Sequence, residues 1–182
     1  VGDGSLVKTF GPRGTVHLLP NRELPLWTGA LGAVPPATNG VGADARLTPE
    51  QTDEVVAAIA AALADAELTV EDLNTAVAAR TGGWATDPVV PAFGGMWPRW
   101  RQAIHLAAHR GVLCFGRNRG RNVTDTNPQR WLPGFRPAPA ADARRPGPAL
   151  PVRIRSSHAA AVRAMAVRTT PMGDRAVRVP RR

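Results

Sequence analysis

The chain has 182 residues, enough for one domain or two small ones, and its 43% hydrophobic content permits a packed core and argues against wholesale disorder. No run approaches the ~18 consecutive apolar residues that a membrane span needs, and a single cysteine, Cys114, excludes a disulfide framework and a multi-cysteine zinc site. The formal charge is +9, unevenly spread: residues 1–98 carry 5 Lys+Arg against 11 Asp+Glu, residues 99–136 carry 8 against 1, and residues 137–182 carry 10 against 2.

Clustered positive charge is the footprint of a polyanionic partner, nucleic acid first and anionic membrane second. Only one of the 23 cations is lysine, which points to a GC-rich coding sequence and tempers any reading of arginine counts. The opening Val1-Gly2-Asp3-Gly4-Ser5 has neither a basic n-region nor an apolar h-region. No secretory signal is read there, and the expected place is the cytoplasm, at the nucleoid when bound to DNA. A start on valine that runs at once into apolar residues leads to the expectation of an incomplete chain.

Residues 5–19 predict two short strands around Gly11-Pro12-Arg13-Gly14, because Pro and Gly punctuate a β-branched and apolar run. Pro20 to Leu31 predicts a short helix with Asn21 as its N-cap and Leu24, Trp27 and Leu31 on one face. Residues 32–46, rich in Gly, Pro and Ala, read as a linker. Thr48-Pro49-Glu50-Gln51 then supplies an N-cap, a proline at the first helical position and a capping-box glutamine. Val55, Ile59, Ala62 and Leu63 follow at helical spacing. Thr69-Val70-Glu71-Asp72 reads as a second capping box, with Leu73, Ala76 and Val77 as the apolar face and Gly82-Gly83 as the stop.

A proline-rich loop is expected from Trp84 to Met96, then a third helix from Pro98 to His109. Its apolar side takes Trp97, Trp100, Ile104 and Ala107. Val112 to Phe115 and Asn122 to Thr126 predict a hairpin whose tip is Gly116-Arg117-Asn118-Arg119-Gly120-Arg121. Three helices followed by a hairpin is the order of a winged helix, a helix-turn-helix variant whose hairpin is the wing. The fold expected is therefore α+β, mainly helical. Residues 1–46 hold the remnant of a first winged helix plus linker, residues 47–136 a second winged helix, and residues 137–182 an Arg/Pro/Ala-rich tail, disordered or out of frame. The first strand pair, 5–19, should leave part of an apolar face uncovered, because the helices of its domain are expected to be missing.

Arg117, Arg119 and Arg121 alternate along the glycine-flanked tip, and Arg99 and Arg101 begin the helix before it. Arginines at a hairpin tip can reach phosphates or enter a minor groove. Arg13, Thr15 and His17 form a second candidate group on one strand. These eight residues are the expected DNA contacts, and double-stranded DNA, held mainly by its phosphates, is the expected partner. His105 and His109 have an i, i+4 spacing that suits a metal, but Leu106 stands where a zincin needs Glu and no third ligand is evident. No metal, no cofactor and no membrane partner are expected. Cys114, between Leu113 and Phe115, reads as a core residue rather than a nucleophile.

Two stretches carry a family resemblance. Leu6-Val7-Lys8-Thr9-Phe10-Gly11-Pro12-Arg13-Gly14-Thr15-Val16-His17-Leu18 and Arg110-Gly111-Val112-Leu113-Cys114-Phe115-Gly116 through Gly120-Arg121-Asn122-Val123-Thr124 together resemble the bacterial winged-helix DNA-binding family related to AlkZ-type DNA glycosylases. The resemblance covers roughly residues 5–136. It implies tandem winged helices that form a concave DNA channel, in a family whose characterised members excise alkylated bases or unhook interstrand crosslinks. It also implies a catalytic Gln-x-Gln or Gln-x-Asp motif upstream of the Arg-Gly-Thr strand. The glutamines Gln51, Gln102 and Gln129 all lie downstream of that strand, and none is read as part of such a motif. The expectation is therefore a DNA-binding protein with no catalytic residue in this chain. An active DNA glycosylase and a protein-interaction module are the alternatives.

Overall fold

The structure, a computed structural model, describes residues 5–34 and 41–139. The expectations for residues 35–40 of the linker and for the tail beyond Pro139 lie outside the described residues. The architecture is α+β, with four α-helices and small antiparallel sheets among the described residues.

The chain opens with β1 (Leu6–Phe10) and β2 (Val16–Pro20), paired antiparallel with Phe10 opposite Val16. The turn between them holds Arg13 at φ 59° and Gly14 at φ 70°. The chain then reaches α1 (Leu24–Gly32) through a tight 3₁₀ turn, Asn21–Glu23. Asn21 does not cap α1. Its backbone N–H bonds the Ser5 carbonyl at 2.9 Å and extends the β1–β2 ladder, which moves the helix start to Leu24. Strand alternation leaves Val16 and Leu18 49% and 54% exposed, the uncovered apolar face expected of this strand pair.

The helix α2 (Pro49–Leu63) starts as its sequence dictates. Thr48 Oγ1 accepts from the Gln51 N–H, and the Gln51 side chain accepts from the Thr48 N–H. A two-residue strand, β3 (Leu68–Thr69), leads into α3 (Val70–Thr81). Here only half of the expected box forms. Thr69 Oγ1 accepts from the Asp72 N–H, while the Asp72 carboxylate meets Arg119. Gly82 ends α3 at φ 95°, the left-handed side that glycine adopts without cost.

The expected proline-rich loop is instead a hairpin, β4 (Pro88–Ala92) and β5 (Gly95–Pro98), turning at Gly94 with φ 79°. A two-stranded ribbon has only edge strands, so prolines without an N–H to donate are tolerated at positions 88, 91 and 98. Trp97 belongs to β5, not to the third helix. That helix begins as a 3₁₀ turn, Arg99–Ala103, and continues as α4 (Ile104–His109). Trp100, Ile104 and Ala107 face the core as expected, and the fully buried Trp100 donates its Nε1–H to Asn74 Oδ1 at 2.8 Å.

Gly111, at φ 73°, turns the chain into β6 (Cys114–Phe115), which pairs with β7 (Thr124–Thr126). With β3 they form a three-stranded antiparallel sheet of order β3-β7-β6. The main core joins α2, α3, Trp100, α4 and Leu113. A smaller one joins Val7, Leu19, Leu24, Cys114 and Phe135, so the first hairpin and α1 are packed onto the β6 side. The turn of the first hairpin lies on α4. His109 Nε2–H donates to the Gly11 carbonyl at 3.2 Å, and Phe10 meets the His105 ring edge-on at 4.8 Å.

Candidate nucleic-acid interface

The hairpin between β6 and β7 is held at its base and open at its tip. The Arg117 N–H donates to Glu67 Oε2 at 3.1 Å, and Thr124 Oγ1–H donates to the Arg117 carbonyl at 2.6 Å. Arg119 and Asn122 close the ladder, and Gly120, at φ 64°, makes the turn. The Arg119 guanidinium folds back toward α3, 3.2 Å from Asp72 Oδ2 and 3.0 Å from the Glu67 carbonyl. The exposed side chains of Arg117 and Arg121 have no ion pair or hydrogen bond among the described residues. One arginine thus braces the tip while two project from it.

Arg13, Thr15 and His17 lie together at the β1–β2 turn. Thr15 Oγ1–H donates to the Pro12 carbonyl at 2.9 Å, His17 Nδ1 lies 2.9 Å from the Thr15 carbonyl, and Arg13 is exposed. Arg99 and Arg101 are committed inward. Arg99 reaches the Ala45 carbonyl at 2.8 Å and Asp87 at 3.5 Å. Arg101 stacks on the Trp97 ring at 4.1 Å, and its Nε is buried without a hydrogen bond. Burial lowers the Arg101 pKa, against the pull of Asp125 and Glu71. Burial likewise pushes the Asp125 carboxyl up to about 6, with Arg101 opposing.

Next to the hairpin base is a cleft of about 690 Å³ between β1 and β6. Lys8, Arg117 and Arg130 line it together with Asn118, Phe115 and Trp131, and no carboxylate does. Lys8 Nζ lies 4.7 Å from the Phe115 ring centroid. Sequence reasoning missed Lys8, Arg130 and Trp131 as a group. Strand alternation puts Lys8 on one face of β1 with Phe10, but what that face meets is set by packing across more than a hundred residues.

Cys114 is buried, and burial pushes its thiol up to about 12, so it is a core residue rather than a nucleophile. Burial also lowers the pKa values of His105 and His109, which latch the first hairpin. Among the described residues no group of three His, Cys, Asp or Glu side chains is placed to hold a metal. Gln51-Thr52-Asp53 does spell Gln-x-Asp, contrary to the expectation that no glutamine stands in such a motif. It lies in the first turn of α2, where Gln51 closes the capping box and Asp53 pairs with Arg110 at 2.6 Å. Gln102 is bonded to Leu47 and Ala45, and Gln129 to the Phe135 carbonyl. Among the described residues no helix is long and apolar enough to cross a membrane.

The family described as "DNA glycosylase AlkZ-like" matches residues 1–170. The "Interstrand DNA cross-link repair glycosylase" of Streptomyces sahachiroi is 33% identical over 143 residues, 70% of this chain and 33% of that protein. The solved structure titled "Streptomyces sahachiroi DNA glycosylase AlkZ" superposes with a TM-score of 0.62 at 27% identity, covering 78% of this chain and 38% of that one. The chain therefore spans well under half the length of these relatives.

Proposed function

The chain belongs to the AlkZ-like DNA glycosylase family, and from that premise we propose that it is a winged-helix module that holds duplex DNA by its phosphates and does not by itself excise bases. The order α2, β3, α3, α4, β6, β7 with sheet order β3-β7-β6 supports the winged-helix reading, with β4–β5 as an inserted hairpin. On this reading residues 47–136 are the winged helix, residues 1–46 are the end of a preceding one, and the β6–β7 hairpin is the wing. The helix that would enter a major groove, α4, is covered by the β1–β2 turn through the His109 and Phe10 contacts. DNA contact then falls to the wing, where arginine binds phosphate without reading sequence. The observation that carries the proposal is the wing tip, with Arg117 and Arg121 projecting and Arg119 bracing. A protein partner is disfavoured because an apolar, uncharged wing would suit it better. The proposed setting is the cytoplasm, at the nucleoid.

Breaking an N-glycosidic bond needs a group that orients water or stabilises the leaving base. The glutamines available are all spent on backbone and capping contacts. Incubated with duplex containing 7-methylguanine or 3-methyladenine, the chain is expected to give no abasic sites above the no-protein control. Abasic sites abolished by a point mutation in this chain would overturn that half of the proposal. Binding is tested by fluorescence anisotropy of two unrelated duplexes across a salt series. In the Arg117→Ala/Arg119→Ala/Arg121→Ala variant, affinity for both duplexes should fall alike, and the salt slope should drop by about 2–3. An unchanged affinity and slope would remove the wing from the interface.

A further inference from the structure

We propose that the cleft between β1 and the wing base is a subsite for one unpaired nucleotide of DNA; this rests on the DNA-binding reading above and adds a second mode of contact to it. Its volume, about 690 Å³, lies within the about 300–1,000 Å³ of small-molecule sites. That is too small for a duplex and suited to one nucleotide. Its lining divides by chemistry. Lys8, Arg117 and Arg130 supply three cations, and none of them is in an ion pair among the described residues. Arg119, on the same hairpin, is by contrast neutralised by Asp72. No carboxylate lines the cleft to repel a phosphate. Trp131, a ring on which a base can stack, and Asn118, whose amide can both donate to and accept from a base edge, line the same cleft. Val7, Phe115 and Leu132 add apolar surface to the lining.

A cationic rim around an aromatic platform is how single-stranded nucleic acid is held, since every base has a face to stack while the backbone follows the charge. A paired base has both faces covered by its neighbours and cannot use Trp131. The cleft therefore discriminates between paired and unpaired positions, which the wing cannot do. Arg117 belongs to both surfaces: its backbone N–H anchors the hairpin to Glu67, and the residue lines the cleft.

The test compares binding of the full chain to a fluorescein-labelled 20-bp duplex and to the same duplex carrying one bulged thymidine. The wild type should prefer the bulged probe by about tenfold, the scale of one base–aromatic stack. Trp131→Ala and Arg130→Ala should each bring that ratio close to one, and Trp131→Phe should keep most of it. Arg121→Ala should weaken binding to both probes and leave the ratio intact, which separates the wing from the cleft. A wild-type ratio of one overturns the subsite while leaving the wing standing. So does a ratio that survives both Trp131→Ala and Arg130→Ala. Arg130→Ala keeps the test decisive if Trp131→Ala fails to fold. Absence of binding to either probe overturns both the subsite and the DNA-binding reading.

Discussion

Asp125 is only 2% exposed on β7, beside Phe115 and Leu68 in the sheet register, with the half-buried Arg101 as its counter-charge. Burial penalises its charged form more than Arg101 favours it, so its folded-state pKa is raised from 3.8 to about 6. The sign follows: the native state prefers the protonated acid. The stabilisation is complete below pH 3.8 and is lost as pH rises to about 6. Asp125→Asn removes that cost at neutral pH but leaves Arg101 without its counter-charge, so the net gain at pH 7.5 should be about 1–2 kcal/mol. At pH 4 the gain should vanish. Urea denaturation at the two pH values checks this, and equal destabilisation at both would show that the Arg101 partnership outweighs the burial cost. Residues of this kind were hard to read in the sequence. Asp125 is one acid in a basic stretch, and nothing local shows that its strand is covered on both faces. The same holds for the eight expected DNA contacts. Arg117 and Arg121 project as the alternating tip suggests, but Arg99 and Arg101 turn inward because Ala45, Asp87 and Trp97, distant or on another element, receive them.

Elements were legible where their signals are local. Thr48 and Gln51 satisfy each other across one turn, and the helix begins where they say. Thr48→Ala should therefore cost about 1 kcal/mol, read as a shift in the urea midpoint with unchanged slope. A loss near zero would mean that tertiary packing alone fixes the start of α2. Gly111 is a stricter case. Its φ of 73° suits glycine, and a Cβ there would lie 2.9 Å from the Phe135 ring. Gly111→Ala should cost about 1–3 kcal/mol in the same measurement, from backbone strain plus displacement of the Phe135 ring; a cost below about 0.5 kcal/mol would show that the ring moves freely. Elements that escaped the sequence are those decided by topology. The β4–β5 ribbon carries three prolines because both its strands are edges, and Trp97 leaves the helix pattern for that ribbon. The β3 strand is two residues long and exists because β7 lies beside it.

At the scale of the molecule, the first hairpin is the organising fact. It covers α4, builds a second small core with Cys114 and Phe135, and supplies Lys8 to one wall of the cleft beside the β6–β7 hairpin. The sequence showed a strand pair, a three-helix segment and a basic hairpin. It did not show that the pair sits on α4, because the Phe10–His105 and Gly11–His109 contacts join residues more than ninety positions apart. On the proposed function, covering α4 leaves phosphate contact by the β6–β7 hairpin as the salt-dependent mode of DNA binding. The most direct test is the ¹H–¹⁵N amide spectrum of the full chain during titration with a short duplex. Amides from Arg117 to Val123 are expected to shift first and most, while those of α4 stay in place under the first hairpin. Large shifts along Ile104 to His109 with an unmoved β6–β7 hairpin would contradict the proposed mode of binding.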